Sequence, residues 1–394
     1  VRRPRLVYVV THPVTADLLL RGQLAFMREQ GFDVTVVAAP GPELDRVRER
    51  EGVATVAVPM VRANDLRRDA VSLVRLTDAL RRLQPDIVNA GTPKAGLLGM
   101  IAARALSVPI RVYLLRGLRL ETVHGPLRKV LVVTEKIACM CAHDIACVSL
   151  SLLRVATEGG YIPARKAVVI GEGSSNGVDT QRFRRTEALR TEGSAQLAAL
   201  GVRAEDPLVA FVGRLAADKG IDELLDAFEI VRREIPTAKL ALLGGDLGDE
   251  KADRRLLARV SGARSVIATK TIADLAPYYA RIDVLAFPSY REGFPNVPLE
   301  AASAEVPVVG FRSTGVVDAV KDGETGELVE RDPRALARAI IGYLRDPERA
   351  AAHGRAARAR VERSYDRRAV WAAWLEAYGT RLASRGLPAP SPRV

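Results

Sequence analysis

The segment EGFPNVPLE sets Glu292 and Glu300 eight residues apart, with two prolines and a glycine between them. A carboxylate offers two oxygens that accept hydrogen bonds from fixed directions, which suits a ligand rich in hydroxyls. The continuation AASAEVPVVGF reads as a short helix followed by a buried strand. Glu292 therefore falls on a loop and Glu300 about one turn into a helix. Asn296 is expected to cap that helix, with Pro298 in its first turn, where a missing N–H costs nothing. The amides of Asn296 and Val297 are then open to a ligand. Glu292 can accept from sugar hydroxyls and Glu300 from a ribose diol. The plainer alternative is an exposed loop glutamate and a helix-dipole partner.

A second cluster lies in FVGRLAADKGIDELLDAF, residues 211–228. A strand is expected to end at Gly213, a loop carries Arg214, and Lys219 stands before a helix whose apolar face is Ile221, Leu224, Leu225 and Phe228. Both cations thus belong at the carboxyl edge of a sheet, where ligands of open α/β folds bind. A diphosphate there meets a guanidinium fork, an ammonium and a helix dipole. Cations aimed at a helix start are unfavourable unless an anion sits between them. The alternative is a pair of solvated surface charges.

The elements that must position these residues are legible as alternating β-branched runs and helical stretches. RLVYVV, DVTVVAA, ATVAVPM, DIVNAG, IRVYLL, DIACVS and KAVVIG read as strands of a first parallel sheet. LVAFVG, AKLALLGG, SVIAT, DVLAFPS, VPVVGF and GELVE read as a second series. Between them GEGSSNGVD breaks the pattern. The fold class expected is α/β, with two Rossmann-like domains facing across a cleft. Residues 1–178 form the first domain and 179–365 the second. Residues 366–382 are expected to be a helix returning to the first domain, with Val370, Trp371, Trp374, Leu375 and Tyr378 as its docking stripe. Residues 383–394 read as a disordered tail.

A hydrophobic fraction of 48% and a charged fraction of 27% exclude a disordered chain. No apolar run nears the roughly 18 to 20 residues of a helical membrane span. The start, VRRPRLVYVVTHP, has too short an apolar stretch for a signal peptide, so a cytoplasmic location is expected. Cys139, Cys141 and Cys147 lack a paired zinc spacing and read as buried free thiols. The net charge of +12 is concentrated in residues 1–180, which carry +8. That balance suits anionic partners. Aromatics at 5%, with no stacking pattern through the basic stretches, argue against nucleic acid.

Taken together, Glu292 with Glu300, GRLAADKG, LLGGD, DVLAFPSYREGFPNV and SNGVDTQRF resemble the retaining GT-B glycosyltransferases of sequence family 4. The resemblance runs from Leu6 to about Tyr378. It implies that Arg214 and Lys219 hold the diphosphate of a nucleotide-sugar donor, that Glu300 holds the ribose and that Glu292 contacts the transferred sugar. Phe294, Asn296 and Val297 complete the donor site, and Glu292, Arg214 and Lys219 are the catalytic set. VTHPVTADLLLRGQL, DIVNAGTPKAGLLGMIAARAL and RVYLLRGLRLET look like bacterial members that build capsular or lipid-linked glycans.

This implies a UDP-sugar donor and an undecaprenyl-diphosphate-linked saccharide acceptor, transfer with retention, and no metal or other cofactor. Lys94, Arg116 and Arg119 are the acceptor-binding candidates. An anionic surface at the inner face of the plasma membrane is the expected docking partner, through RVYLLRGLRLETVHGPLRKVLVVTEK. Two departures stand out: the first loop lacks the Gly-Gly pair common in the family, and no histidine follows the fifth strand. His12 and His124 are loop candidates, with structural roles as the plainer reading. A soluble small-molecule acceptor is the rival within the enzyme class, and a non-catalytic nucleotide-sugar-binding module the rival outside it. A dehydrogenase needs G-x-G-x-x-G after the first strand, and LVYVVTHPVTAD has none.

Overall fold

Apolar runs too continuous for a half-exposed sheet become strands covered on both faces. The computed structural model describes residues 2–61, 65–121, 123, 125–244, 258–260 and 265–392. The chain divides into two units, one of Val1–Gly177 with Arg367–Val394 and the other of Val178–Asp366.

The first unit holds seven strands: β1 (Arg5–Val9), β2 (Asp33–Ala38), β3 (Ala54–Ala57), β4 (Ile87–Gly91), β5 (Ile110–Leu115), β6 (Asp144–Cys147) and β7 (Ala167–Val169). All pair in parallel, in the order β3-β2-β1-β4-β5-β6-β7. The order reverses between β1 and β4. The connecting helices are α1 (Pro13–Leu19), α2 (Gln23–Glu29), α3 (Pro42–Glu51), α4 (Leu66–Leu83), α5 (Pro93–Ala105), α6 (Pro126–Cys141) and α7 (Leu150–Glu158). Helix α5 packs against both α4 and α6, so the three form one layer.

The second unit opens with α8 (Glu187–Ala198). Its six strands are β8 (Leu208–Val212), β9 (Lys239–Leu243), β10 (Val266–Ala268), β11 (Val284–Phe287), β12 (Val308–Phe311) and β13 (Gly326–Val329). They pair in parallel in the order β10-β9-β8-β11-β12-β13, reversing between β8 and β11. Around them run α9 (Ile221–Glu234), α10 (Ala276–Arg281), α11 (Asn296–Ser303), α12 (Val316–Ala319), α13 (Pro333–Arg345) and α14 (Pro347–Ser364).

Helix α9 buries Ile221, Leu224, Leu225, Phe228 and Val231, the stripe its spacing implies, against Phe211, Leu240, Ile340 and Tyr343. Each such side chain contributes about 1.5 to 3 kcal/mol. That packing fixes the end of the helix that follows Lys219.

Helix α15 (Arg367–Ser384) packs within the first unit. Val370, Trp371, Trp374, Tyr378 and Leu382 are buried, while Leu375 is only half-buried. Trp371 meets Phe26 at 5.6 Å between ring centroids and Tyr378 meets Phe32 at 6.0 Å. Their polar ends are bonded as well: Trp371 Nε1 donates to Asn176 and the Tyr378 hydroxyl accepts from Asn89. The described residues beyond α15, 385–392, form no helix or strand, and the backbone of Ser391 lies against Gly31.

Candidate active site

The reversal of strand order in the second unit separates the connections after β8 and β11, so a crevice opens beyond their carboxyl ends. Every donor candidate from the sequence follows one of these two strands. Gly213 and Arg214 come directly after β8, then a single 3-10 turn, Ala217–Lys219, and then Gly220. Gly220 has φ +67°, and a Cβ there would lie 2.2 Å from the carbonyl oxygen of Pro288. Only glycine lets the loop after β8 come this close to the loop after β11. The Tyr290 amide, donating to Asp218 O at 3.0 Å, laces the two loops together.

This lacing brings Lys219 to Glu292. Lys219 Nζ donates to Glu292 Oε1 at 2.5 Å, and Ser289 Oγ donates to the same oxygen at 2.8 Å. The side chains are 16% and 18% exposed, enough for a ligand to reach both. Arg214 is exposed and has no ion-pair partner among the described residues, so its guanidinium is available to an anion.

Glu300 lies one turn into α11. Burial pushes its carboxyl above the usual range, while a hydrogen bond from Tyr279 and the charge of Arg182 draw it back. Asn296 is not the cap that its residue type suggested. Pro295 holds the extended N-cap conformation, Asn296 is the first helical residue, and the helix has no side-chain cap. The φ of −81° at Pro295 suits the extended N-cap conformation, and helical geometry begins one residue early, at Asn296. Asn296 Oδ1 is left buried without a hydrogen-bond partner among the described residues, as is Arg291 Nε. Phe294 is buried against Tyr365 at 5.1 Å, and Val297 is half-buried.

In the first unit, Arg116 immediately follows β5. Its Nε would lie 3.2 Å from a Cβ at Gly91, so the bare glycine leaves the space it occupies. Both Nε and Nη1 are buried without a hydrogen-bond partner among the described residues. Burial pushes this guanidinium down to about 10, partly opposed by the hydroxyls of Tyr8 and Tyr378. Lys94 is committed to Asp69, with contacts of 2.6 and 2.9 Å. Arg119 begins the turn Arg119–Glu121, and its side chain lies outside the described residues.

His12 caps α1 through Nδ1, which accepts from the Val14 amide. His124, and Gly245 and Asp246 of LLGGD, lie outside the described residues. The three cysteines are buried free thiols, and burial pushes Cys147 up to about 12. Among the described residues no three His, Cys, Asp or Glu side chains are grouped to hold a metal ion.

Ser289 and Tyr279 escaped the sequence reading. Ser289 carried a usable signal, because it follows a strand's carboxyl end and precedes Glu292. Tyr279, inside APYYA, has the look of an ordinary core aromatic.

Two family models match the chain: "Glycosyltransferase Family 4" over residues 22–182 and "Glycosyl transferases group 1" over residues 206–346. The capsular polysaccharide biosynthesis glycosyltransferase CapM of Staphylococcus aureus is 35% identical over 92% of this chain and 94% of that protein. Among solved structures, Anabaena Alr3699/HepE in complex with UDP and glucose superposes with a TM-score of 0.81 at 20% identity, covering 96% of this chain and 100% of that one. Sucrose-phosphate synthase from Thermosynechococcus elongatus gives a TM-score of 0.81 at 20% identity over 97% and 100%. The last two likenesses speak for the fold.

Proposed function

The chain belongs to the group 1, family 4 glycosyltransferases, a retaining family of GT-B fold, and from that premise we propose that it moves a sugar from a UDP-sugar to a hydroxyl of an undecaprenyl-diphosphate-linked saccharide in capsular polysaccharide synthesis. The observation that carries the donor half is the meeting of Lys219 and Glu292, beside an exposed Arg214 with no ion-pair partner among the described residues, at the strand-order reversal. The name of CapM supports the capsular reading, and the UDP and glucose held by HepE support the choice of UDP.

In this scheme the nucleoside diphosphate leaves while the acceptor hydroxyl attacks from the same face of the sugar, its proton passing to the departing diphosphate. Arg214, Lys219 and the amides of Asn296 and Val297 receive the charge that develops on the diphosphate, so stabilisation grows toward the transition state. Glu292 accepts from the transferred sugar and Glu300 from the ribose. The scheme calls for no metal or other cofactor.

The acceptor reading rests on the first unit. Arg116, whose buried Nε and Nη1 have no hydrogen-bond partner among the described residues, suits a diphosphate, with Lys94 and Arg119 as further candidates. No helix among the described residues is long and apolar enough to cross a membrane. The layer of α4, α5 and α6 instead exposes Leu66, Val71 and Val74 on α4, and Leu127, Val130, Val133 and Met140 on α6. Exposed Arg67, Arg68, Arg75, Arg128, Lys129 and Lys136 stand among them. Apolar side chains set among cations suit shallow docking on an anionic lipid surface, placing the enzyme peripherally on the inner face of the plasma membrane.

Mass spectrometry of products from a panel of UDP-sugars and lipid-linked acceptors tests the reading. One sugar added to the lipid-linked acceptor is expected. Transfer only to soluble acceptors would replace the acceptor half, and UDP-sugar binding without any transfer would reduce the protein to a binding module.

A further inference from the structure

The segment SNGVDTQRF, residues 175–183, is given no task by the donor and acceptor assignments, yet its last two residues reach α10. Phe183 is buried and packs edge-on against Tyr279, with ring centroids 5.5 Å apart and planes at 88°. Arg182 pairs with Asp274 at 2.9 Å, and Asp274 in turn accepts from the Ala276 amide at the first turn of α10. One residue of the segment thus braces the start of α10 and the next braces a tyrosine on it.

Tyr279 is wholly buried, and its hydroxyl donates to Glu300 Oε2 at 2.8 Å. Glu300 Oε1 has no protein hydrogen bond among the described residues and is not sealed from solvent. One oxygen is therefore tethered while the other is open to a ligand. A free glutamate would lose side-chain freedom when it engages a diol, and the tether removes part of that cost beforehand.

We propose that Tyr279, braced by Phe183, is a positioning residue that aims the open oxygen of Glu300 at the ribose diol of the donor. The proposal rests on the assignment of Glu300 to the ribose. The hydroxyl has a second effect, because its hydrogen bond favours the ionised carboxylate that accepts from the diol. The charged and titratable groups acting on Glu300 are Tyr279 from α10 and Arg182 from the linking segment, both opposing the effect of burial. Removing the hydroxyl raises the pH at which Glu300 takes up a proton, so diol binding fails at higher pH on acidification.

The experiment is calorimetric titration of Tyr279→Phe, Phe183→Leu and Glu300→Gln with UDP and with 2′,3′-dideoxy-UDP. Tyr279→Phe should weaken UDP about tenfold, as loss of a hydrogen bond to a charged group implies, and leave dideoxy-UDP unchanged. Phe183→Leu should show the same selectivity at smaller size. In turnover, Tyr279→Phe should raise the donor KM with kcat held, and the acid limb of kcat/KM should move to higher pH.

Equal losses for UDP and dideoxy-UDP in Tyr279→Phe would reduce the tyrosine to general support and overturn the proposal. So would UDP affinity equal to that of the parent protein. If Glu300→Gln erases the preference for UDP over dideoxy-UDP while Tyr279→Phe keeps it, only the positioning role falls. A Glu300→Gln variant that keeps the preference would remove the ribose assignment, and the role of Tyr279 with it.

Discussion

Lys219 Nζ lies 2.5 Å from Glu292 Oε1, so the cation assigned to the diphosphate is ion-paired with the carboxylate assigned to the transferred sugar. The pair is held from behind by the Ser289 hydroxyl and is only partly open to solvent. The Lys219 ammonium has three donors and spends one on Glu292, so in the proposed donor complex the carboxylate and the phosphate share the same cation. Removing one partner of such a pair leaves the other charge uncompensated.

The two residues should therefore behave non-additively. Lys219→Ala should weaken UDP binding at least tenfold, since it removes a charge-assisted contact worth roughly 1.5 to 3 kcal/mol and leaves Glu292 repelling the diphosphate. Lys219→Ala with Glu292→Gln should recover part of that loss. Calorimetry of the double-mutant cycle reads the coupling, and strictly additive losses would count against a shared cation.

Arg116 is expected to trade stability for function. Its buried Nε and Nη1 lack partners among the described residues, and burying an unpaired cation is unfavourable. Arg116→Met keeps the packing volume and removes the charge, so its Tm should equal or exceed that of the parent, while kcat/KM for the lipid-linked acceptor falls. A lower Tm with acceptor kinetics unchanged would make Arg116 a structural residue.

A pH dependence of stability follows from Glu135, whose carboxyl is buried on α6 and pushed up from 4.5 to about 7. Between those values the folded protein holds a proton that the unfolded chain has released. Stability must then fall as pH rises through this window. Thermal melts across the window should show the decline, and Glu135→Gln should flatten it. A Glu135→Gln profile parallel to that of the parent would place the decline elsewhere.

Vesicle binding should depend on both outer helices of the α4, α5 and α6 layer. Co-sedimentation with anionic but not neutral liposomes is expected, weakening as salt rises. Arg128→Glu with Lys129→Glu on α6, and Val71→Asp on α4, should each reduce it. An effect confined to α6 would exclude α4 from the surface.

Much of this was legible in the chain because parallel strands covered on both faces leave continuous apolar runs, and each of the thirteen runs is a strand, with β3, β7 and β10 at the sheet edges less buried than the rest. The helical period placed the buried stripe of α9 in the same way. What stayed hidden depends on strand order. Lys219 and Glu292 are 73 residues apart in the chain and meet because β8 and β11 are neighbours in the sheet. Tyr279 could not be told from a core aromatic until α10 was seen against Glu300. Asn296 was misread because its cap propensity competes with the fixed backbone of Pro295. Arg116 reads as a loop cation because nothing local says that Gly91, on a neighbouring strand, leaves room for it.

The most direct test of the account is the anomeric configuration of the sugar transferred from a UDP-α-sugar of gluco or galacto configuration, read by proton NMR from the coupling of its anomeric hydrogen. A small coupling in a newly glycosylated acceptor, the α-configuration of the donor preserved, is the result expected of a retaining transferase that stabilises the departing diphosphate through Arg214 and Lys219. A large coupling, showing β-linked product, would contradict it.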